Sequence, residues 1–126
     1  MRDFRKLLAW QKADDLTVLI YRATETFPSE EKFGLTSQLR RAAVSVAANI
    51  AEGSGRHSLK DFRRFLYLAR GSLSEVQYYL HLSQRLDYLS EQHQREADAR
   101  RADTGKILQG LINSLTRQMK SGRKYN

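Results

Sequence analysis

The sequence predicts an all-α protein, an antiparallel up-down-up-down four-helix bundle, on three observations. Alanine, leucine, arginine, glutamate and glutamine dominate, and all are strong helix formers. Only one proline, Pro28, occurs in 126 residues, and no run alternates apolar and polar residues with the period of two expected of a strand. Four segments instead repeat apolar residues every three or four positions, separated by short clusters of breakers. A chain of this length makes one domain with a real core, and short connections favour antiparallel neighbours.

The first helix is expected over about residues 4–26, with Leu8, Leu16, Leu19, Ile20 and Ala23 on one face. The stretch "FPSEEKFG" ends it, because a residue before proline is pushed out of the helical region. The second, about 34–52, carries Leu35, Leu39, Ala42, Val46 and Ile50, and "GSGRHS" stops it. Gly53 and Gly55 suit a left-handed helix stop. Ser58 followed by Asp61 opens the third, about 58–86, as a capping box. Its stripe runs from Leu59 and Phe62 through Leu73 and Val76 to Leu80. The fourth spans about 91–120. Its polar first half is expected to be exposed or frayed, and its second half carries Ile107, Leu108, Leu111, Ile112, Leu115 and Met119. Residues 121–126 form a basic tail, expected to be loose.

Two helices carry apolar residues on their outer sides as well. Val44, Ala47 and Ala51 lie opposite the core stripe of the second helix. On the third, Leu68, Tyr78, Tyr79, Leu82 and Leu86 lie away from the main stripe. Helices that are apolar on two faces are covered on two faces, and a second copy of the chain is the simplest cover. A homo-oligomer is therefore expected.

Several function classes drop out. With no cysteine there are no disulfides and no thiolate metal sites, which fits a cytoplasmic protein. No signal-peptide core and no long apolar run occurs, so no membrane association is expected. The "GSGR" at residues 53–56 follows a helix and lacks the pattern of a phosphate loop. His57, His81 and His93 form no helical metal-site spacing. Glu52 and Glu75 stand inside apolar stretches, where a network with Arg41, Ser45 and Arg64 is the expected use. Asn49 is expected to hydrogen-bond across helices. Neither an enzyme nor a metal or other cofactor is read from these residues.

Charge is more informative. Twenty-two Lys and Arg against fourteen Asp and Glu give a net charge of +8. Between Ser54 and Arg70, the cations Arg56, Lys60, Arg63, Arg64 and Arg70 face one acid, Asp61. Arg63 and Arg70, seven residues apart, share a stripe. Arg2, Arg5 and Lys6 make one basic end, and Arg117, Lys120, Arg123 and Lys124 make another. Phosphates bound by such residues would give salt-sensitive, sequence-tolerant affinity, so RNA or another polyanion is the expected partner. The alternative is a scaffold for an unidentified protein, with the charge serving solubility.

Three stretches then resemble a known family: "LLAWQKADDLTVLIYRATETFP", "EEKFGLTSQLRRAAVSVAANIAEGSGR" and "DFRRFLYLARGSLSEVQYYL". They look like the small bacterial four-helix bundle proteins named for open reading frames within 23S rRNA intervening sequences. The resemblance spans roughly residues 4–115 and is weakest in the fourth helix. It implies an antiparallel bundle assembled as a ring-shaped homopentamer, with no known enzymatic activity. Its motif positions fall on Arg40, Arg41, Asn49, Glu52, Gly53, Gly71, Ser72 and Glu75. At the level of fold alone, the chain is also similar to the basic pentameric accessory proteins of diversity-generating retroelements.

Overall fold

The structure, a computed structural model, describes residues 2–122. Four long helices make up most of it: α1 (Leu8–Ala23), α2 (Leu35–Ser54), α3 (Leu59–Arg85) and α4 (Glu91–Lys120). No strand occurs among the described residues.

The first helix is shorter than its apolar pattern suggests. Leu7 is extended, with φ −80° and ψ 123°, so Phe4–Lys6 forms a separate 3-10 turn capped by the Asp3 side chain. At the other end Thr24–Thr26 is again 3-10, and Phe27 is extended before Pro28. The hydroxyl of Thr24 donates to the Ile20 carbonyl, and Arg40 of α2 donates to the Thr24 hydroxyl and the Tyr21 carbonyl. Arg40 thus serves the end of α1, where the last carbonyls have no helical partner.

The start of α2 has Gly34 at its cap position and no side chain there to accept a hydrogen bond. Glu31 substitutes: one carboxylate oxygen accepts the Leu35 N–H at 3.0 Å, the other the Tyr88 hydroxyl at 2.9 Å. One residue therefore caps α2 and ties the α1–α2 connection to the α3–α4 connection. The Leu35 N–H, then the Tyr88 hydroxyl, hold its carboxyl below the ordinary glutamate range. The same bond raises the Tyr88 phenol.

The end of α2 corrects the expectation of a left-handed glycine stop. Gly53 lies inside the helix, and Gly55 has φ −85°, an ordinary right-handed value. Gly53 is required for proximity instead: a Cβ there would sit 2.7 Å from the Phe65 Cβ and 3.1 Å from the Phe62 ring. The last turn is closed by the Gly55 and Arg56 N–H groups, which donate to the Glu52 and Gly53 carbonyls, and Arg2 adds donors just beyond them. That guanidinium donates to the Ser54 and Arg56 carbonyls at 3.3 and 2.8 Å and lies over the Phe62 ring.

Serine opens both later helices. The Ser58 hydroxyl accepts the Asp61 N–H at 3.0 Å, and the Ser90 hydroxyl accepts the His93 N–H at 3.1 Å. Between them Asp87 adopts φ 62°, a left-handed turn that aspartate tolerates better than most residues. The polar first half of α4 is continuous helix, with Ala97 and Thr104 buried and short pairs such as Arg101–Asp98 at 2.9 Å outside.

Pairings fix how the helices lie. Thr17 and Tyr21 of α1 meet Ala43 and Arg40 of α2. Ser45 and Gly53 of α2 meet Ser72 and Phe65 of α3. Arg63 and Arg70 of α3 reach Thr116 and Gln109 of α4. In each pair the partner's number falls as the first rises. Between them Leu16, Ile20, Leu39, Val46, Ile50, Phe62, Leu66, Leu80, Leu108 and Ile112 form one core with almost no exposure. No helix is long and apolar enough to cross a membrane among the described residues.

The expected arginine–carboxylate network is absent among the described residues. Glu52 pairs with Arg56 at 2.8 Å, one helical turn away. Arg64 pairs with Asp61 at 2.9 Å, and Glu75 accepts only a long bond, 3.4 Å, from the Tyr79 hydroxyl. Arg64 and Glu75 are too far apart along α3 to meet. Neutral groups fasten the α2–α3 seam instead: the Ser45 and buried Ser72 hydroxyls bond at 2.8 Å, and Asn49 donates back to Ser45 within its own helix.

The outer faces of α2 and α3 carry exposed apolar side chains, among them Val44, Leu68, Tyr78 and Leu86. Ala47, Tyr79 and Leu82 are half-buried against the edge of the core. Gly71 lies on this face, exposed in mid-helix, and a Cβ there would meet nothing within 4 Å.

Candidate nucleic-acid interface

The basic residues of α3 and α4 converge because two helical periods are set side by side. On α3, Lys60, Arg63, Tyr67 and Arg70 recur every three or four residues. On α4, Lys106, Gly110, Asn113, Arg117 and Lys120 do the same and are all exposed. The Arg63 guanidinium donates to the Thr116 hydroxyl and that of Arg70 to the Gln109 side chain, each at 3.0 Å. These bonds bring the two stripes onto one face. Lys60, Arg63, Arg70, Lys106, Arg117 and Lys120 therefore share a surface, and residues 106–120 contain no acid at all.

Tyr67 organises the centre of this surface. Arg70 lies over its ring at 4.8 Å and Arg63 at 5.6 Å. Each such contact contributes about 0.5–1 kcal/mol at an exposed site. Held by the ring and by α4, the two guanidiniums lose less side-chain freedom when they engage an anion. Each keeps donors beyond the one committed to α4. Next to them a surface depression of about 360 Å³ is lined by Ser58, Lys60, Asp61, Arg63, Arg64 and Tyr67. Its single acid, Asp61, is engaged by Arg64 at 2.9 Å and Arg56 at 3.7 Å.

Not every sequence-derived candidate joins the face. Arg56 is already engaged: it pairs with Glu52 and Asp61 and lies over the Phe65 ring at 4.6 Å. Arg2 is committed to the end of α2, and Arg5 to Asp3, whose hydrogen bond from Arg5 lowers its carboxyl. Arg123 and Lys124 lie outside the described residues. Tyr67, Lys106 and Asn113 belong to the face without being sequence-derived candidates. Their spacing from Arg63, Arg70, Arg117 and Lys120 carried the signal.

Among the described residues no group of three His, Asp or Glu side chains gathers as a metal site would require. The family motif positions fall elsewhere. Arg41, Glu52, Gly71 and Glu75 lie on the exposed sides of α2 and α3, while Asn49, Gly53 and Ser72 lie in their seam.

The fold and surface together define a basic four-helix protein with a cluster of cations on the face shared by α3 and α4. The chain belongs to the 23S rRNA-intervening sequence protein family, whose pattern matches residues 5–110. Among solved structures it is similar to a protein of unknown function from the S23 ribosomal protein family of Bacteroides thetaiotaomicron. The two are 24% identical, the match covers 83% of this chain and 98% of that one, and the TM-score is 0.75. That similarity carries the fold alone. No curated relative matches the chain.

Proposed function

We propose that this protein is a non-enzymatic, cytoplasmic RNA-binding ring: an up-down-up-down bundle assembled from about five copies, holding RNA on the α3–α4 face of each. The observation that carries the reading is the cluster of Lys60, Arg63, Arg70, Lys106, Arg117 and Lys120 on one face, with residues 106–120 free of acid. Phosphates match it because guanidiniums and ammoniums without carboxylate partners release counterions when a polyanion docks. The family's name refers to 23S rRNA and that of its solved relative to a ribosomal protein family, which makes structured rRNA the first probe to use.

The test is a titration with a structured rRNA fragment at two salt concentrations. Binding that weakens steeply with salt is expected. Arg70→Gln, Lys106→Gln and Arg117→Gln should each weaken it and lower the salt slope by about one contact. Arg56→Gln should leave the slope nearly unchanged. Absence of binding at low salt, or affinity indifferent to salt, would overturn the reading. A protein captured equally well after nuclease treatment would favour a scaffold instead.

A further inference from the structure

Phe33 is the most exposed large apolar side chain of the described residues, at 90%. It stands in the α1–α2 connection, and that connection is rigid. Ser29–Glu31 is a 3-10 turn, the Gly34 N–H donates to the Glu31 carbonyl at 2.9 Å, and the Glu31 carboxylate is bonded to Leu35 and Tyr88. A phenyl ring held in water by a braced loop is pre-organised to be buried by something else, with little further loss of freedom. Lys32, 5.6 Å over one face, is its only ring partner among the described residues.

A matching receptor lies on α3. A surface groove of about 390 Å³ is lined by Tyr78, His81, Leu82, Arg85 and Leu86, with Tyr78 57% exposed. Its own chain leaves it unfilled, since Phe33 is in solvent. The charges match as well. Residues 25–33 carry Glu25, Glu30 and Glu31 against Lys32, while Arg85 is the charged residue that lines the groove, with Glu75 and Asp87 standing beyond it.

We propose that Phe33 of one copy seats in the Tyr78–Leu82–Leu86 groove of the next, making the assembly head-to-tail. This rests on the homo-oligomeric reading above and specifies its contact. Knob and groove are different surfaces of one chain, so each copy offers one of each. Contacts of that kind do not stop at pairs: they build a ring where the rotation closes and a filament where it does not. Both surfaces lie at the same end of the bundle, because the Glu31–Tyr88 bond joins the Phe33 loop to the turn just after the groove. Neighbours joined at one level stand side by side, as a ring requires.

The chain has no cysteine, so introduced thiols report this contact without interference. Phe33→Cys and Leu86→Cys chains, differently tagged and co-expressed, should form a disulfide-linked heterodimer on mild oxidation. Either variant alone should not. The double variant should give a covalent ladder up to the full ring. Phe33→Ala should keep its helicity, since the side chain touches almost nothing in its own chain, yet fall in mass to a single chain. A symmetric Phe33→Cys homodimer, or an unchanged mass for Phe33→Ala, would overturn the contact. The same holds for absent cross-links while the mass stays at several subunits, and each of these outcomes leaves the oligomer standing. A wild-type protein that is monomeric by light scattering would overturn the oligomer itself.

Discussion

At Gly53 the α2 and α3 backbones come close enough that a single methyl group would meet Phe65 and Phe62. The Phe65 atom in the way is its Cβ, and one of the Phe62 atoms is a carbonyl oxygen, neither of which can swing away. Gly53→Ala should therefore destabilise the fold by about 1–3 kcal/mol, read by urea unfolding, although alanine is the better helix former. An unchanged or raised midpoint would show that the seam relaxes freely. Arg56 teaches a related lesson about single residues. Its charge stands in a basic stretch, but Glu52, Asp61 and the Phe65 ring already occupy it. A cation's worth to an outside anion depends on what its neighbours have left free.

At the scale of elements, α2 depends on a cap that comes from outside its own first turn. The Glu31 carboxylate accepts from the Leu35 N–H and the Tyr88 hydroxyl, and these favour its ionised form and hold its pKa below the ordinary glutamate range. A carboxyl lowered in the folded state contributes stability that is present above the unfolded value and fades as pH falls through the folded one. The stability difference between wild type and Glu31→Gln should be largest near neutral pH and shrink in mildly to strongly acidic solution. A difference independent of pH would show that the carboxylate's charge plays no part. Tyr88 works in the opposite sense: its raised phenol contributes below the ordinary tyrosine range, and that contribution is lost as pH rises through the folded value. Neither group is buried, so solvent screening keeps both effects modest.

For the whole molecule, the outer surfaces divide into faces with different chemistry. Gly71 and Gly110 are both mid-helix glycines with open space where a Cβ would stand. Gly71 lies among the exposed apolar residues of α2 and α3, Gly110 among the cations of α4. In one chain each replacement by alanine should add up to about 1 kcal/mol through helix propensity. Gly110→Ala should show that gain with its assembled mass intact. In the proposed ring, Gly71→Ala should instead lower the assembled mass, because a copy seated on this face would meet the added methyl. Equal behaviour of the two in light scattering would remove Gly71 from the assembly surface.

Much of this architecture is local and so was readable from the chain. The four helices follow from apolar spacing, the start of α3 at Ser58 from capping chemistry, and the excess of positive charge from composition. The core stripe from Leu39 through Val46 to Ile50 is likewise a matter of period alone. Tertiary structure decided what joins residues far apart in the chain. It brought Arg63 against Thr116 and Arg70 against Gln109, more than thirty positions away, and so turned two basic stripes into one face. It gave Gly53 a partner's side chain to avoid and spent Arg2 on the end of α2. Helical period and charge are properties of neighbours in sequence. Which cation stays free, and which glycine is needed, depends on the helix that packs across from it.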